Sequence, residues 1–158
     1  AKFLTDPDEH IYEYAAQALE AIGPETVSHF RKAYAKAKGA PRLTILQGLG
    51  VLEDSESKAA FRNATKDKNL EIRLAGLWGL MRIASAEDVD LLLAQSLKES
   101  GWGRIKATAY CLELAEKLEE TGAKKGAQAI YSNIKKTRTA KNEDHLLESA
   151  DRGLARLK

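Results

Sequence analysis

Apolar residues recur along this chain at helical spacing, and no stretch alternates apolar and polar residues in strand fashion. The clearest case is residues 67–97, DKNLEIRLAGLWGLMRIASAEDVDLLLAQSL. Asp67 and Asn69 offer cap oxygens ahead of a first helix carrying Ile72, Ala75, Gly76, Leu80 and Ile83 on one stripe. Ser85 opens a second helix, with Asp88 three residues on as a capping-box partner. Val89, Leu92, Leu93 and Leu97 form its apolar stripe. A hairpin of this size cannot bury both faces alone, so it must stack on neighbours.

The neighbours are copies. Leu80 follows the small residue Gly79, and the same small-Leu pair stands at Ala18-Leu19, Gly48-Leu49, Cys111-Leu112 and Gly153-Leu154. The intervals are 30, 31, 32 and 42 residues. A fixed period of this length marks a repeat architecture. Small residues four positions earlier (Ala15, Gly76, Thr108, Ala150, with Ile45 the exception) let helices approach closely. The units run over about 6–38, 39–66, 67–99, 101–138 and 142–158. First helices are expected over 7–22, 41–52, 70–83, 103–119 and 143–157, and second helices over 25–38, 55–66, 86–99 and 123–137. Asp6-Pro7-Asp8 reads as a helix start with proline at the first helical position. The fold predicted is an all-α solenoid of about four and a half helical hairpins, one repeat domain across 1–158. The last first helix has no partner before Lys158, and Phe3 and Leu4 read as the tail of a preceding element; both suggest a segment of a longer protein carrying further repeats or domains.

Asp67-Lys-Asn-Leu-Glu-Ile-Arg73 followed by Leu-Ala-Gly-Leu-Trp-Gly-Leu80 resembles the HEAT-like repeat of phycobilisome-lyase-type proteins. Asp6-Pro-Asp8 with Ala15-Ala-Gln-Ala-Leu19 repeats the pattern, although Tyr12 stands where an arginine would be, and 105–112 is a weaker copy. The resemblance implies a right-handed α-α superhelix of the armadillo-like kind, and protein binding for most relatives. It carries no lyase activity over, since the repeat is a scaffold shared by many functions.

Composition limits the functional classes. The 158 residues are 44% hydrophobic and 30% charged, so a sizeable core is available, while a formal net charge of +2 makes no case for nucleic acid. The only cysteine, Cys111, excludes an internal disulfide and a Cys-rich metal site, and its helical setting predicts a buried, inert thiol. His10, His29 and His145 fall in three different helices with no metal-ligand spacing. The carboxylate pairs, such as Glu53-Asp54 and Glu87-Asp88, mostly sit at helix N-termini, and Glu119-Glu120 reads as a solvated helix end. Gly48-Leu-Gly50 and Gly101-Trp-Gly103 follow no strand and match no phosphate loop. Nothing here calls for a cofactor or an active site. No run is long enough to span a bilayer. Ala1 is not methionine, which fits a trimmed or processed N-terminus; the compartment stays open, with the cytoplasm as the default.

Charge is unevenly placed. Residues 1–30 hold one cation, Lys2, against six acids, whereas 122–158 hold nine cations against four acids. In a solenoid this is a gradient along the long axis. The second helices should line the inner surface. With Val27, Phe30, Tyr34 and Ala37 toward the core, His29, Lys32 and Lys36 point outward. The same register exposes Lys58, Arg62 and Lys66, then Gln95, and then Lys124, Gln128, Tyr131 and Lys135 beside buried Ile130 and Ile134. The predicted partner-binding set is therefore His29, Lys32, Lys36, Arg62, Gln95, Gln128, Tyr131 and Lys135. Such a surface suits an acidic protein or peptide. It lacks the aromatic interleaving that stacks bases. Duplex DNA, as bound by HEAT-like DNA-repair enzymes, is the alternative, and an accessory domain of a larger enzyme or lyase-like protein ranks third. Trp102 is expected to cover the open edge of its helix pair, and Trp78 to be core.

Overall fold

Two aspartates begin helices by the same device. Asp6 accepts from the Asp8 amide at 3.0 Å and Asp8 from the His10 amide at 3.0 Å; Asp67 accepts from the Asn69 amide at 2.9 Å and Asn69 from the Glu71 amide at 2.8 Å. Each turn hands the chain to a capping side chain, which satisfies an amide the helix leaves unpaired. The cap is thus Asp8 itself, and Pro7 lies before it rather than inside the helix.

The computed structural model describes residues 2–158. Among them are helices α1 (Glu9–Ile22), α2 (Val27–Tyr34), α3 (Gly39–Val51), α4 (Lys58–Ala64), α5 (Leu70–Arg82), α6 (Val89–Lys98), α7 (Gly101–Glu120), α8 (Lys124–Thr137) and α9 (Asp144–Arg156), with no strand. Short 3-10 turns at Pro24–Thr26, Ser55–Ser57 and Ala86–Asp88 lead into α2, α4 and α6 at a strict spacing of 31 residues. The turn chemistry varies while its place does not. Thr26 donates to the Gly23 carbonyl at 2.7 Å, Ser57 to Asp54 at 2.5 Å, and Ser85 to Asp88 at 2.7 Å. Ser85 and Asp88 do pair, but side chain to side chain rather than through the backbone amides of the expected capping box. Just before these turns the chain takes positive φ at Gly23 (115°), Glu53 (50°) and Ala84 (49°), which ends the preceding helix.

The chain divides into two compact units, Ala1–Ile83 and Ala84–Lys158, so the predicted 67–99 pair is split between them. In the first, α3 packs on α1, α2 and α5, and α4 packs on α5. Its core holds Leu4, Tyr12, Val27, Phe30, Ile45, Leu46, Leu49, Phe61, Leu77 and Leu80. In the second, α7 packs on α6 and α8, and α8 on α9, around Leu92, Cys111, Leu114, Leu118, Ile130, Tyr131 and Ile134.

Three of the five small-Leu pairs have a physical reason for their small residue, whereas Ala18 of the first pair is exposed. Gly48 lies under the ring of Phe30, Gly79 under Phe61 and Gly153 under Tyr131. A Cβ at any of the three would sit 2.3 Å from a ring carbon. The second helix of one pair seats an aromatic on the first helix of the next, and only glycine leaves the space. The same register reaches Leu92 on α6, where the small residue is Cys111 instead of glycine.

Candidate partner-binding surface

In the first unit, α2 turns His29 and Lys32 to solvent, with Lys36 exposed in the turn just beyond it, while Val27, Phe30 and Ala33 are buried. Tyr34 is half-buried; its hydroxyl donates to the Ala60 carbonyl at 3.4 Å and accepts from Arg42 at 3.0 Å. Arg31, between the outward positions, belongs to the fold. Its guanidinium clamps Asp54 and also reaches Glu56. Burial would raise the Asp54 carboxyl, but hydrogen bonds from Arg31 and Ser57 and the Arg31 charge outweigh it and hold the group below its ordinary range. On α4, Arg62 and Lys58 are half-buried, and Lys66, in the turn beyond it, is exposed.

The second unit breaks the expected basic pattern. Gln95 of α6 is half-buried and spent on Glu99, donating at 2.7 Å. The solvated positions around it are Asp90, Ala94, Leu97 and Lys98, so one helix carries an acid, two apolar groups and a single cation. On α8, Gln128 and Lys135 are exposed and line a groove of about 420 Å³ against α9, together with Ser132, Asp151 and Leu154. Lys135 reaches across it to Asp151 at 2.5 Å.

Tyr131 is the clear correction. The sequence reading turned it outward, yet it is 1% exposed. Its ring takes the seat that Phe30 and Phe61 take in earlier repeats, and its hydroxyl meets Glu119 and accepts from Arg156 at 3.2 Å. Burial first, then the Glu119 carboxylate, raises its pKa. Glu119 is accordingly no solvated helix end: Arg156 donates to both its oxygens, at 2.9 and 2.8 Å. The hydrogen bond from Arg156 is the main reason its carboxyl is lowered.

The basic C-terminal stretch is likewise less free than its composition implies. Arg138 is fully buried. It donates to Ser96 at 2.7 Å, Thr108 at 3.1 Å and Thr137 at 3.0 Å. Arg156 is also held by an acid, so two of the nine cations counted in 122–158 serve the fold, and a third, Lys135, forms an exposed pair with Asp151. Cys111 is buried, as its setting predicts; burial pushes the thiol up to about 11 against the opposing effect of Ser96 and Arg138. His10, His29 and His145 are exposed, and no cluster of three metal-ligating side chains occurs among the described residues. Trp102 is 60% exposed with the Lys106 ammonium 5.5 Å from its ring centre, so it does not form the cover expected of it. Trp78 is half-buried over Gly50, where a Cβ would come within 2.5 Å of the indole. No helix among the described residues is long and apolar enough to cross a membrane.

A family model described as HEAT repeats matches residues 29–113, just over half of the chain. The match supports the repeat itself and does not extend to the phycobilisome-lyase variety. No curated protein and no solved structure matches the sequence.

Proposed function

Since the chain belongs to the HEAT-repeat family, whose members commonly serve as protein-interaction scaffolds, we propose that it is a non-enzymatic scaffold segment binding an acidic protein or peptide on the outward faces of its second helices. The supporting observation is the exposed set of His29 and Lys32 on α2 and Lys36 in the turn that follows it, while the neighbouring Arg31 is consumed by Asp54 and Glu56. Gln128 and Lys135, beside the groove of α8 and α9, are the counterpart in the second unit. Arg62, half-buried, contributes at the edge of such a face, and Gln95 and Tyr131 drop out of the set.

Separated, partly neutralised cations favour a protein over duplex DNA. Binding to duplex DNA draws its strength from many Lys and Arg contacts that release the counterions condensed on a regular array of phosphates. The interruption at α6, where Asp90 and Leu97 take the outward places, works against such an array.

The experiment is affinity capture with the chain as bait, comparing wild type with the double variant Lys32→Glu/Lys36→Glu. A protein partner retained by wild type and lost by the variant is expected. Partners retained equally by both would overturn the assignment to α2. Binding of a duplex DNA probe that collapses as salt rises would replace it with the nucleic-acid reading.

A further inference from the structure

Away from the second-helix faces, the second unit holds a larger groove. It has a volume of about 670 Å³ and lies between the α6–α7 connection, the first two turns of α7 and the start of α9. Ile105 and Leu146 form its apolar walls; Ser100, Thr108, Asn142 and His145 contribute polar edges. Arg104 and Glu143 also line it and pair across it, with Nε and Nη2 of Arg104 donating at 2.9 and 3.3 Å. Glu99, at the rim, is engaged with Gln95.

Directly behind two of these lining residues sits Arg138. It donates to Thr108 through Nη2, and its Nε lies 4.0 Å from Glu143. That distance is an ion pair but not a hydrogen bond. Nε is the buried side-chain nitrogen with no hydrogen-bond partner among the described residues, on an arginine that is 0% exposed. Fully buried arginine is rare, and a buried donor left unmet is costly. Two guanidiniums therefore converge on one carboxylate, which satisfies half-buried Arg104 and falls short of fully buried Arg138. Glu143 comes from a 3-10 turn, Lys141–Glu143, and not from the body of a helix.

We propose that this groove binds a carboxylate-bearing peptide segment, whose acidic side chain or C-terminus enters between Arg104 and Arg138 in place of Glu143 and whose neighbouring apolar side chain rests on Ile105 and Leu146. A carboxylate delivered from outside is free of the turn's geometry. It reaches hydrogen-bond distance of the Arg138 Nε while keeping Arg104, which Glu143 in its present position does not. The volume suits two or three side chains. Exposed Ile105 at the wall supplies, with Leu146, the apolar contact that charge alone would lack. This site is independent of the α2 and α8 faces, and neither reading needs the other.

The arginine Nε–H resonances read the site directly. A ¹⁵N-labelled chain is titrated with a pool of peptides placing Glu between Leu or Phe residues, and separately with the matching Gln pool. The Glu pool should shift the Nε–H signals of Arg104 and Arg138 and the amides of Ile105 and Leu146; the Gln pool should not. Glu143→Gln, which removes the internal competitor, should tighten binding roughly three- to fivefold, the effect expected from relieving a partly solvated charge pair. Arg104→Gln should abolish the shifts, with circular dichroism confirming that it remains folded. Equal response to both pools, or no shift at Arg138 in either wild type or Glu143→Gln, would overturn the proposal. Shifts confined to Gln128 and Lys135 would overturn it too, while leaving the second-helix reading intact.

Discussion

The ring of Phe61 lies so close over Gly79 that an added Cβ would sit 2.3 Å from the ring carbons Cδ1 and Cε1. This contact joins α4 to α5 and recurs between Phe30 and Gly48 and between Tyr131 and Gly153. It predicts that Gly79→Ala destabilises the protein by about 1–3 kcal/mol through overpacking, even though alanine is the better helix former. Phe61→Leu in the same chain should recover much of that loss, giving a coupling well above the noise of a double-mutant cycle. Urea unfolding of the four proteins measures it.

The neighbouring Leu80 is fully buried. Leu80→Ala should cost about 2–5 kcal/mol, as for other leucines in closed cores. A melting temperature close to wild type would show that Leu80 is not the anchor of the repeat.

Ala84 carries a φ of 49°, a backbone region that disfavours any side chain. Ala84→Gly is expected to stabilise by about 0.5–1 kcal/mol, because the strain of a Cβ at positive φ exceeds the added entropy of the unfolded glycine. Glu53 has a φ of 50° but also pairs with Arg82 at 2.8 Å, so its glycine variant trades strain for an ion pair and should gain less. Thermal melts of the two variants rank them.

Asp54 gives the fold an acid-sensitive element. Its carboxyl is held below the ordinary 3.8, so the native state is favoured while it is ionised. That contribution is fully present above the ordinary value and is lost as pH falls through the lower native one. The stability gap between wild type and Asp54→Asn should therefore be widest near neutral pH and close below 3.8. Denaturant midpoints at a series of pH values show it, and a constant gap would contradict the role of the Arg31 clamp.

Cys111 is buried and its thiol is raised to about 11. A thiol-reactive dye at pH 8 should leave it unmodified in the native protein and label it fully in denaturant, since the thiolate is the reacting form.

Periodicity made the scaffold legible. The first helices begin and end within about two residues of the expected positions, because caps and the small-Leu register are local signals. Three second helices, α2, α4 and α6, start later than expected, since each of them opens with a 3-10 turn that hydropathy does not distinguish from helix, and α2 also ends four residues early at Tyr34. The partner surface was only partly legible, because charge says nothing about pairing. Arg31, Arg138 and Arg156 look alike in sequence, yet one clamps a turn, one is buried and one closes on Glu119. Tyr131 was misassigned because period alone placed Ile130 and Ile134 inside and left their neighbour outside. The glycine at 153 was the missing signal: an aromatic one helix back opposes glycine here as at Gly48 and Gly79.

On the proposed reading, His29 and Lys32 of α2, with Lys36 just beyond it, meet an acidic protein segment. Fluorescence anisotropy with a labelled Glu-rich peptide, set against a labelled DNA duplex at the same ionic strength, tests it most directly. The peptide should bind saturably and lose about tenfold or more in affinity in Lys32→Glu/Lys36→Glu, a change of ~1.4 kcal/mol, with the duplex bound more weakly than the peptide throughout. Equal peptide affinity in wild type and variant, or tighter binding of the duplex, would contradict it.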